Sequence, residues 1–152
     1  GYSLVRLLIE KKKRNILKNN FLKKELIKPT KIYVNEILKL IKKDLIRGCA
    51  NITGGGLADN IKRIIPNNLC AEIDLSKIKT LEIFRWLKKN GIKDREMLKT
   101  FNCGVGFCIV INPKSLNDVI KYFPKEFKPY VIGEIINKKV KVKLNDKISW
   151  FQ

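Results

Sequence analysis

The amino-acid sequence predicts an α+β fold, a layered α/β/α arrangement in which a mixed sheet of four to five strands is flanked by helices. Three observations support this class. The chain of 152 residues is long enough to bury one hydrophobic core. Short segments with strand periodicity alternate with segments of helix periodicity. Neither an internal repeat nor a low-complexity linker divides the chain, so residues 1–152 are expected to form one domain.

The first third of the chain is predicted to be helical. Ser3 is a suitable N-cap for a helix with apolar residues at positions 4, 5, 8 and 9. The Lys- and Asn-rich segment 11–25 is expected to be partly helical and mostly exposed. Thr30 is expected to cap a helix over residues 31–43 with a single apolar stripe. The stripe consists of Ile32, Val34, Ile37, Leu38, Leu40 and Ile41.

Strands and helices alternate in the remainder. Strands are expected at 46–52, 71–75, 104–111, 130–136 and 140–144. Helices are expected at 57–65, 80–90, 94–100 and 116–122. Pro66 ends the first of these helices, and Gly91 occupies the C′ position of the second. That second helix is expected to turn Leu81, Phe84 and Leu87 inward, and the wholly apolar run 104–111 is expected to be buried on both faces.

The chain is strongly basic, with 33 Lys and Arg against 14 Asp and Glu and a net charge of +19. Such a charge is the first criterion for nucleic-acid binding. However, 27 of the basic residues are Lys and only 6 are Arg, whereas Arg is favoured for bidentate phosphate and base recognition. Lys, Ile and Asn are enriched together, which indicates compositional drift from an AT-rich genome. The run Lys11-Lys12-Lys13-Arg14 is interpreted as a solvated helical face.

The absence of histidine excludes several mechanisms. No His occurs in the chain, so it supplies neither a Ser-His-Asp triad nor a Cys-His pair, and no zinc site that needs imidazole. The four cysteines, at positions 49, 70, 103 and 108, form no CxxC motif, and Cys70 and Cys108 are interpreted as small core residues. We expect no metal site, no membrane span and no secretory signal, and a reduced, cytoplasmic setting.

The segment Thr53-Gly54-Gly55-Gly56 lies between a predicted strand and a predicted helix. Consecutive glycines are tolerated where φ is positive or where a ligand approaches the backbone closely. A helix N-terminus also suits a phosphate. The alternative is a tight strand–helix turn without a ligand, and Asp59 in the first turn of the helix would compete with a bound anion. The spacing matches neither a Walker loop nor GxGxxG.

A second glycine-containing segment lies at the start of the predicted strand at 104–111. Because Gly104-Val105-Gly106 comes at the start of a strand rather than after one, a dinucleotide-binding fingerprint is excluded. Asn102 is either a ligand contact at the mouth of the strand or a turn-capping residue, and turn capping is the commoner use of Asn. Trp86 and Trp150 are predicted to belong to the core, because they do not cluster with basic residues.

Seven segments, taken in order, resemble one known family. Its members are phosphoribosylformylglycinamidine cyclo-ligases, also called aminoimidazole ribonucleotide synthetases, and the resemblance is to their C-terminal domain. It runs from residue 1 to about residue 136 and includes Thr53-Gly54-Gly55-Gly56 and Phe101-Asn102-Cys103-Gly104. The segments are residues 1–6, 29–34, 51–57, 60–66, 71–74, 84–87 and 99–106.

The resemblance implies an ATP-dependent ring closure in purine biosynthesis. ATP activates the formyl amide oxygen of formylglycinamidine ribonucleotide as a phosphate ester, and an amidine nitrogen then closes the imidazole ring. It also implies a subunit of two domains that forms a homodimer when complete, with ATP and Mg bound mainly by the N-terminal domain. The glycine-rich loop would line the cleft between the domains. The residues implied in substrate or phosphate binding are Asn51, Thr53, Gly54, Gly55, Gly56, Asn60 and Asn102.

The sequence departs from the family in two ways. It starts inside the family's His-Ser-Asn-Gly-Tyr-Ser segment, so the N-terminal ATP-binding domain is absent from this chain, which alone should not catalyse ring closure. Asn51 stands where the family commonly has His, and Asn cannot titrate near neutral pH. The catalytic base is therefore not identified. Gly55→Asp is predicted to abolish activity without unfolding the domain, and the alternative function is a non-catalytic basic module that binds nucleic acid.

Overall fold

The computed structural model describes residues 1–11 and 18–151. Within them, helices and strands follow one another in the predicted order, with one further helix inside the segment that was expected to be partly helical. The helices are α1 (Tyr2–Lys11), α2 (Asn20–Leu26), α3 (Val34–Lys42), α4 (Gly56–Lys62), α5 (Glu82–Lys89), α6 (Asp94–Thr100) and α7 (Leu116–Ile120). The strands are β1 (Gly48–Asn51), β2 (Leu69–Asp74), β3 (Phe107–Val110), β4 (Gly133–Asn137) and β5 (Val142–Asn145). The α+β fold class is confirmed.

The five strands are divided between two sheets. β2 is the central strand of a mixed sheet, antiparallel to β4 and parallel to β5. β1 and β3 form a separate antiparallel ribbon, in which Gly48 pairs with Val110 and Asn51 with Phe107. Strand periodicity reports which residues are extended, but it carries no information about the edge to which each strand pairs. The sequence therefore predicted the strands without predicting their separation into a ribbon and a sheet.

One core packs between the mixed sheet and the helices. On β2, Cys70, Ala71 and Ile73 are buried, which explains the apolar character of this central strand. α1 contributes Val5 and Ile9 to the same core, as its periodicity predicted. The C-terminal residues join it as well, because Ile148 and Trp150 are buried in the same cluster.

Only two of the six residues in the apolar stripe predicted on the third helix are covered. Ile37 and Leu40 are buried, whereas Val34, Leu38 and Ile41 are each about half exposed, and Ile32, which precedes the helix, is more exposed still. The periodicity identified the apolar arc of the helix correctly, but the neighbouring elements cover only one edge of that arc. The predicted cap is also wrong. α3 begins at Val34 after Tyr33, which makes no side-chain capping bond, so Thr30 lies outside the helix.

Of three other local predictions, one is confirmed, one is confirmed in part and one is wrong. Gly91 lies just past α5 with φ of 93°, as a C′ residue should. Leu87 is buried and Phe84 is partly buried, but Leu81 is half exposed because it precedes the helix as its N-cap. The residues of β3 are half-buried rather than buried, since this strand belongs to a two-stranded ribbon with incomplete cover.

The basic run at the end of α1 falls mostly outside the described residues. Lys11 closes α1 and is exposed, and Lys12, Lys13 and Arg14 lie in the part that the structure does not describe. None of the helices in residues 1–11 and 18–151 has the length and apolar content that a membrane crossing requires.

Candidate functional site

The glycine-rich loop connects the ribbon to α4. Gly55 is the N-cap residue of α4 with φ of 92°, and Gly56 follows with φ of 67°. Both conformations lie in the left-handed region that favours glycine. At Gly56 a Cβ would collide with the carbonyl oxygen of Leu98 and would lie 3.3 Å from that of Phe101. The loop therefore packs directly on the C-terminal turn of α6, and only glycine permits that approach.

Asn60 organises the carbonyl groups of this loop. Its side chain is buried, and its amide nitrogen donates hydrogen bonds to the carbonyl oxygens of Thr53 (3.4 Å), Gly54 (3.2 Å) and Gly56 (2.7 Å). The hydroxyl of Thr53 donates to Asn60 Oδ1 at 3.4 Å. Asn60 was predicted to contact a ligand, but its amide nitrogen is thus engaged within the protein. These bonds turn the three carbonyl oxygens, which carry partial negative charge, toward the interior.

The outer surface of the loop differs from one glycine to the next. Gly54 is exposed, has no positive φ, and has no atom within 4 Å of the position that a Cβ would occupy. At Gly55 such a Cβ would lie 3.1 Å from the Cβ of Asp59 and 3.2 Å from its Oδ2. The carboxylate of Asp59 therefore flanks Gly55, and the open side of the loop is at Gly54.

Asn102 closes a turn beside the glycine-rich loop. Its Oδ1 accepts a 3.1 Å hydrogen bond from the backbone N–H of Gly104, which is the turn-capping alternative. Gly104 has φ of 108°, and a Cβ there would lie 2.6 Å from the carbonyl oxygen of Lys79. The turn holds Phe101 against Gly56, so the two glycine-containing segments, distant in sequence, are neighbours in the fold.

Asn51 and Thr53 lie at the end of the ribbon where the loop begins. Asn51 is exposed and is the last residue of β1, directly opposite Phe107 on β3. The pairing continues one residue further, because the N–H of Ile52 donates to the carbonyl oxygen of Gly106 at 2.9 Å. Side chains of directly opposed residues share a face of the ribbon, so Asn51 and Phe107 point to the same side.

Tyr33 lies at this place as well; it belongs to the resembling segment 29–34, but the sequence assigned it no role in the site. Its ring packs against Phe107 with centroids 5.4 Å apart and against Phe127 at 6.0 Å. Its hydroxyl occupies the position that a Cβ of Gly106 would take. Burial raises the pKa of the Tyr33 phenol above its usual value, so the group is a neutral hydrogen-bonding group. A glycine that does not need a positive φ can indicate that another group approaches the backbone closely. Gly106 is such a glycine, so the sequence did contain a signal for this contact.

The thiols near the site are not nucleophiles. All four cysteines are free, and burial raises the pKa of Cys103 and of Cys108 to about 12. Cys103 follows Asn102 in the second segment, and its thiol donates to the carbonyl oxygen of Met97 at 3.5 Å. A thiol with such a pKa stays protonated near neutral pH, so Cys103 serves as a packing residue there.

Neither of two concavities in the protein coincides with the loop. One of about 60 Å³ lies among Leu75, Leu98 and the C-terminal residues, and one of about 540 Å³ is lined by Lys43, Leu45, Asp118, Lys121 and Tyr122. Within residues 1–11 and 18–151, no three His, Cys, Asp or Glu side chains are grouped to hold a metal ion. At Gly54 the surface of the predicted site is open.

Comparison with known proteins gives consistent matches along the chain. Residues 1–145 match the family model described as AIR synthase related protein, C-terminal domain. A phosphoribosylformylglycinamidine cyclo-ligase of Streptococcus agalactiae is 41% identical, with 91% of this chain and 42% of that protein aligned. The bifunctional purine biosynthetic protein purD of Dictyostelium discoideum is 37% identical, over 99% of this chain and 20% of that protein. The chain thus spans less than half the length of these relatives.

Proposed function

Because the chain belongs to the AIR synthase related protein, C-terminal domain family, we propose that it acts as the C-terminal domain of an ATP-dependent cyclo-ligase. The reaction is the conversion of formylglycinamidine ribonucleotide to aminoimidazole ribonucleotide in purine biosynthesis. The family resemblance predicted from the motifs is confirmed by the match over residues 1–145. The names of the relatives, cyclo-ligase and purine biosynthetic protein, support the reaction class.

The glycine-rich loop is the part of this chain that we propose to contact a phosphate group of the ligand. The supporting observation is the inward turn of the carbonyl oxygens of Thr53, Gly54 and Gly56 onto the amide of Asn60. This arrangement withdraws the backbone groups that would repel an anion. The open surface at Gly54 admits a phosphate, whereas the carboxylate of Asp59 repels one at Gly55.

The remaining site residues are proposed to line the same wall. Asn51 and Thr53 are exposed where the ribbon ends, and both offer neutral hydrogen-bonding groups. Asn60 and Asn102 hold the loop and the turn in place through their side-chain bonds to the backbone. Asn51 exchanges no proton near neutral pH, so its contribution is orientation of the substrate and not acid–base catalysis.

ATP and Mg take part in the proposed reaction, but we propose that they are bound mainly by another domain and not by the side chains of this chain. Among the described residues, no three His, Cys, Asp or Glu side chains are grouped to hold a metal ion. We propose that an N-terminal ATP-binding domain, a region for which the longer relatives have room, holds the nucleotide and completes the site. The complete enzyme is proposed to be a cytoplasmic homodimer, a setting compatible with the four free thiols.

Isothermal titration calorimetry tests this proposal. Formylglycinamidine ribonucleotide is titrated into the chain, with and without the family's N-terminal domain, and we expect binding when both domains are present. Gly54→Asp should abolish this binding, because it places a carboxylate where the phosphate lies. Gly54→Asn, of nearly the same size and without charge, is the matched control and should bind. Absence of nucleotide binding in both mixtures, together with tight, salt-sensitive binding of RNA, would contradict the proposal.

Gly54 replaces Gly55 as the position for this test. The sequence predicted that Gly55→Asp would leave the domain folded. The positive φ of Gly55 and the contact with Asp59 instead strain any side chain there and oppose two carboxylates. A loss of activity in Gly55→Asp would therefore be explained by a distorted loop as well as by a repelled anion.

A further inference from the structure

Gly106 is a glycine whose backbone conformation does not require glycine. Its φ is not in the left-handed region, unlike that of Gly104 in the same segment. The space for a side chain is taken instead by Tyr33, whose hydroxyl overlaps the Cβ position and whose Cζ lies 3.2 Å from it. Glycine at 106 therefore makes room for the phenol.

The packing of Tyr33 does not depend on its hydroxyl. The ring contacts Phe107 and Phe127 through its faces and edges, and a phenylalanine ring would make the same contacts. The hydroxyl forms no hydrogen bond to any described residue, and no fully buried side-chain oxygen in the described part of the chain lacks a partner. The hydroxyl therefore keeps contact with solvent, where a ligand can reach it.

The hydroxyl lies at the end of the ribbon from which the glycine-rich loop leaves. Tyr33 packs on Phe107, and Asn51 is directly opposite Phe107 on the same face. Gly54 follows Asn51 by three residues, and three residues of extended chain span at most about 10 Å. When the phosphate of a ligand contacts Gly54, Asn51 and Tyr33 are therefore close enough to contact the remainder of that ligand.

We propose that the Tyr33 hydroxyl, beside the Asn51 amide, hydrogen-bonds a neutral amide-type group at the distal end of a phosphorylated ribose ligand. This inference rests on the proposed function, because that function supplies the ligand. A phenol and a carboxamide both donate and accept hydrogen bonds without carrying charge. They suit an amide group, whereas the open glycine-rich surface suits the phosphate.

Tyr33→Phe tests the inference, since it removes one oxygen and keeps the ring that packs. Binding of two probes to the chain, mixed with the N-terminal domain, is measured by calorimetry. Formylglycinamidine ribonucleotide carries the amide-type group, and ribose 5-phosphate lacks it. The substitution should weaken the ribonucleotide about three- to tenfold, the range expected for one lost neutral hydrogen bond. Ribose 5-phosphate should bind the variant and the wild type equally.

Gly106→Ala supplies a second variant with an intact phenol. Its new methyl displaces the hydroxyl, so it should weaken the ribonucleotide in the same selective way. Equal affinity of wild type and Tyr33→Phe for the ribonucleotide would overturn the inference and leave the proposed function standing. Equal weakening of both probes would overturn it too, because the hydroxyl would then act on the ribose phosphate. A wild-type mixture that binds neither probe contradicts the proposed function and removes this inference with it.

Discussion

The indole N–H of Trp150 donates a 3.0 Å hydrogen bond to Oδ1 of Asp94, 56 residues earlier in the chain. Asp94 is the first residue of α6 and also forms an ion pair with Lys88 at 2.5 Å. The indole is buried in the core. The C-terminal segment is thereby fastened to the start of α6, and the end of α6 carries the Leu98 carbonyl against which Gly56 packs.

Trp150 is expected to be a major contributor to stability. Trp150→Ala should lower the free energy of unfolding by about 3–5 kcal/mol, because it empties a large buried site. Trp150→Phe keeps most of the ring and should cost about 1–2 kcal/mol, since only the hydrogen bond and part of the packing are lost. Phe151→Ala is the neighbouring control, exposed apart from a contact with Lys89, and should cost no more than about 1 kcal/mol. Urea unfolding measures all three, and equal losses for Trp150→Ala and Phe151→Ala would show that the segment is not docked.

Acid is expected to destabilise the protein through carboxylates that are paired in the folded state. The hydrogen bond from Lys88 holds the pKa of Asp94 below its usual value against the opposing effect of burial, and Trp150 and Lys147 contribute in the same direction. A hydrogen bond from Lys143 lowers the pKa of Glu72 in the same way. A carboxylate whose pKa is lower in the folded than in the unfolded state stabilises the fold at pH values above its unfolded pKa, which is about 4. This stabilisation is lost as the pH falls through the folded pKa.

The corresponding measurement is the urea midpoint between pH 7 and pH 2. It should be level from about pH 7 to about pH 5.5, since the chain has no His, and it should fall below about pH 4. Asp94→Asn should be less stable at pH 7 and should lose less on acidification, because the group that titrates is gone. An unchanged acid slope in Asp94→Asn would show that Asp94 is not coupled to folding.

Local signals in the sequence predicted local structure well. The bounds 94–100 predicted for the sixth helix are those observed, and Gly91 ends α5 with the positive φ that a C′ glycine adopts. These local signals could not predict features that depend on contacts between distant segments of the chain. The separation of β1 and β3 from the mixed sheet depends on pairing between segments about 60 residues apart. Likewise, three of the five stripe residues on α3 are exposed, because no described element covers them.

The candidate site shows the same division between local and distant information. The glycine-rich loop and Asn102 were found from their own sequence, because positive φ and turn formation are local properties. Tyr33 was missed because its place beside Gly106 depends on the packing of residues more than 70 positions apart. Asn60 was named through the family resemblance, but its side chain holds the loop from within, a role that depends on the folded structure.

The buried amide of Asn60 is expected to be essential for the shape of the glycine-rich loop. Asn60→Asp removes the donor to three carbonyl oxygens and places a carboxylate beside them, so the free energy of unfolding should fall by at least about 2 kcal/mol. Amide hydrogen exchange in residues 53–57 should accelerate at the same time. Asn67→Asp, the same change at an exposed position, should stay within about 0.5 kcal/mol of the wild type. Equal stability of the two variants would contradict the role given to Asn60.

A double-mutant cycle tests the contact between Tyr33 and Gly106 without any ligand. Gly106→Ala should cost about 1–3 kcal/mol in the wild type, because the added methyl overlaps the phenol oxygen and forces the ring to move. In the Tyr33→Phe background the oxygen is gone, and only the contact with Cζ at 3.2 Å remains. The cost should then fall by at least about 0.5 kcal/mol, within the range of coupling for residues in contact.

Gly48→Ala in the ribbon is the control, because the nearest neighbour of its new methyl would lie at 3.6 Å, and its effect should be the same in both backgrounds. Additive effects of Gly106→Ala and Tyr33→Phe would mean that the hydroxyl does not occupy the space that glycine leaves open.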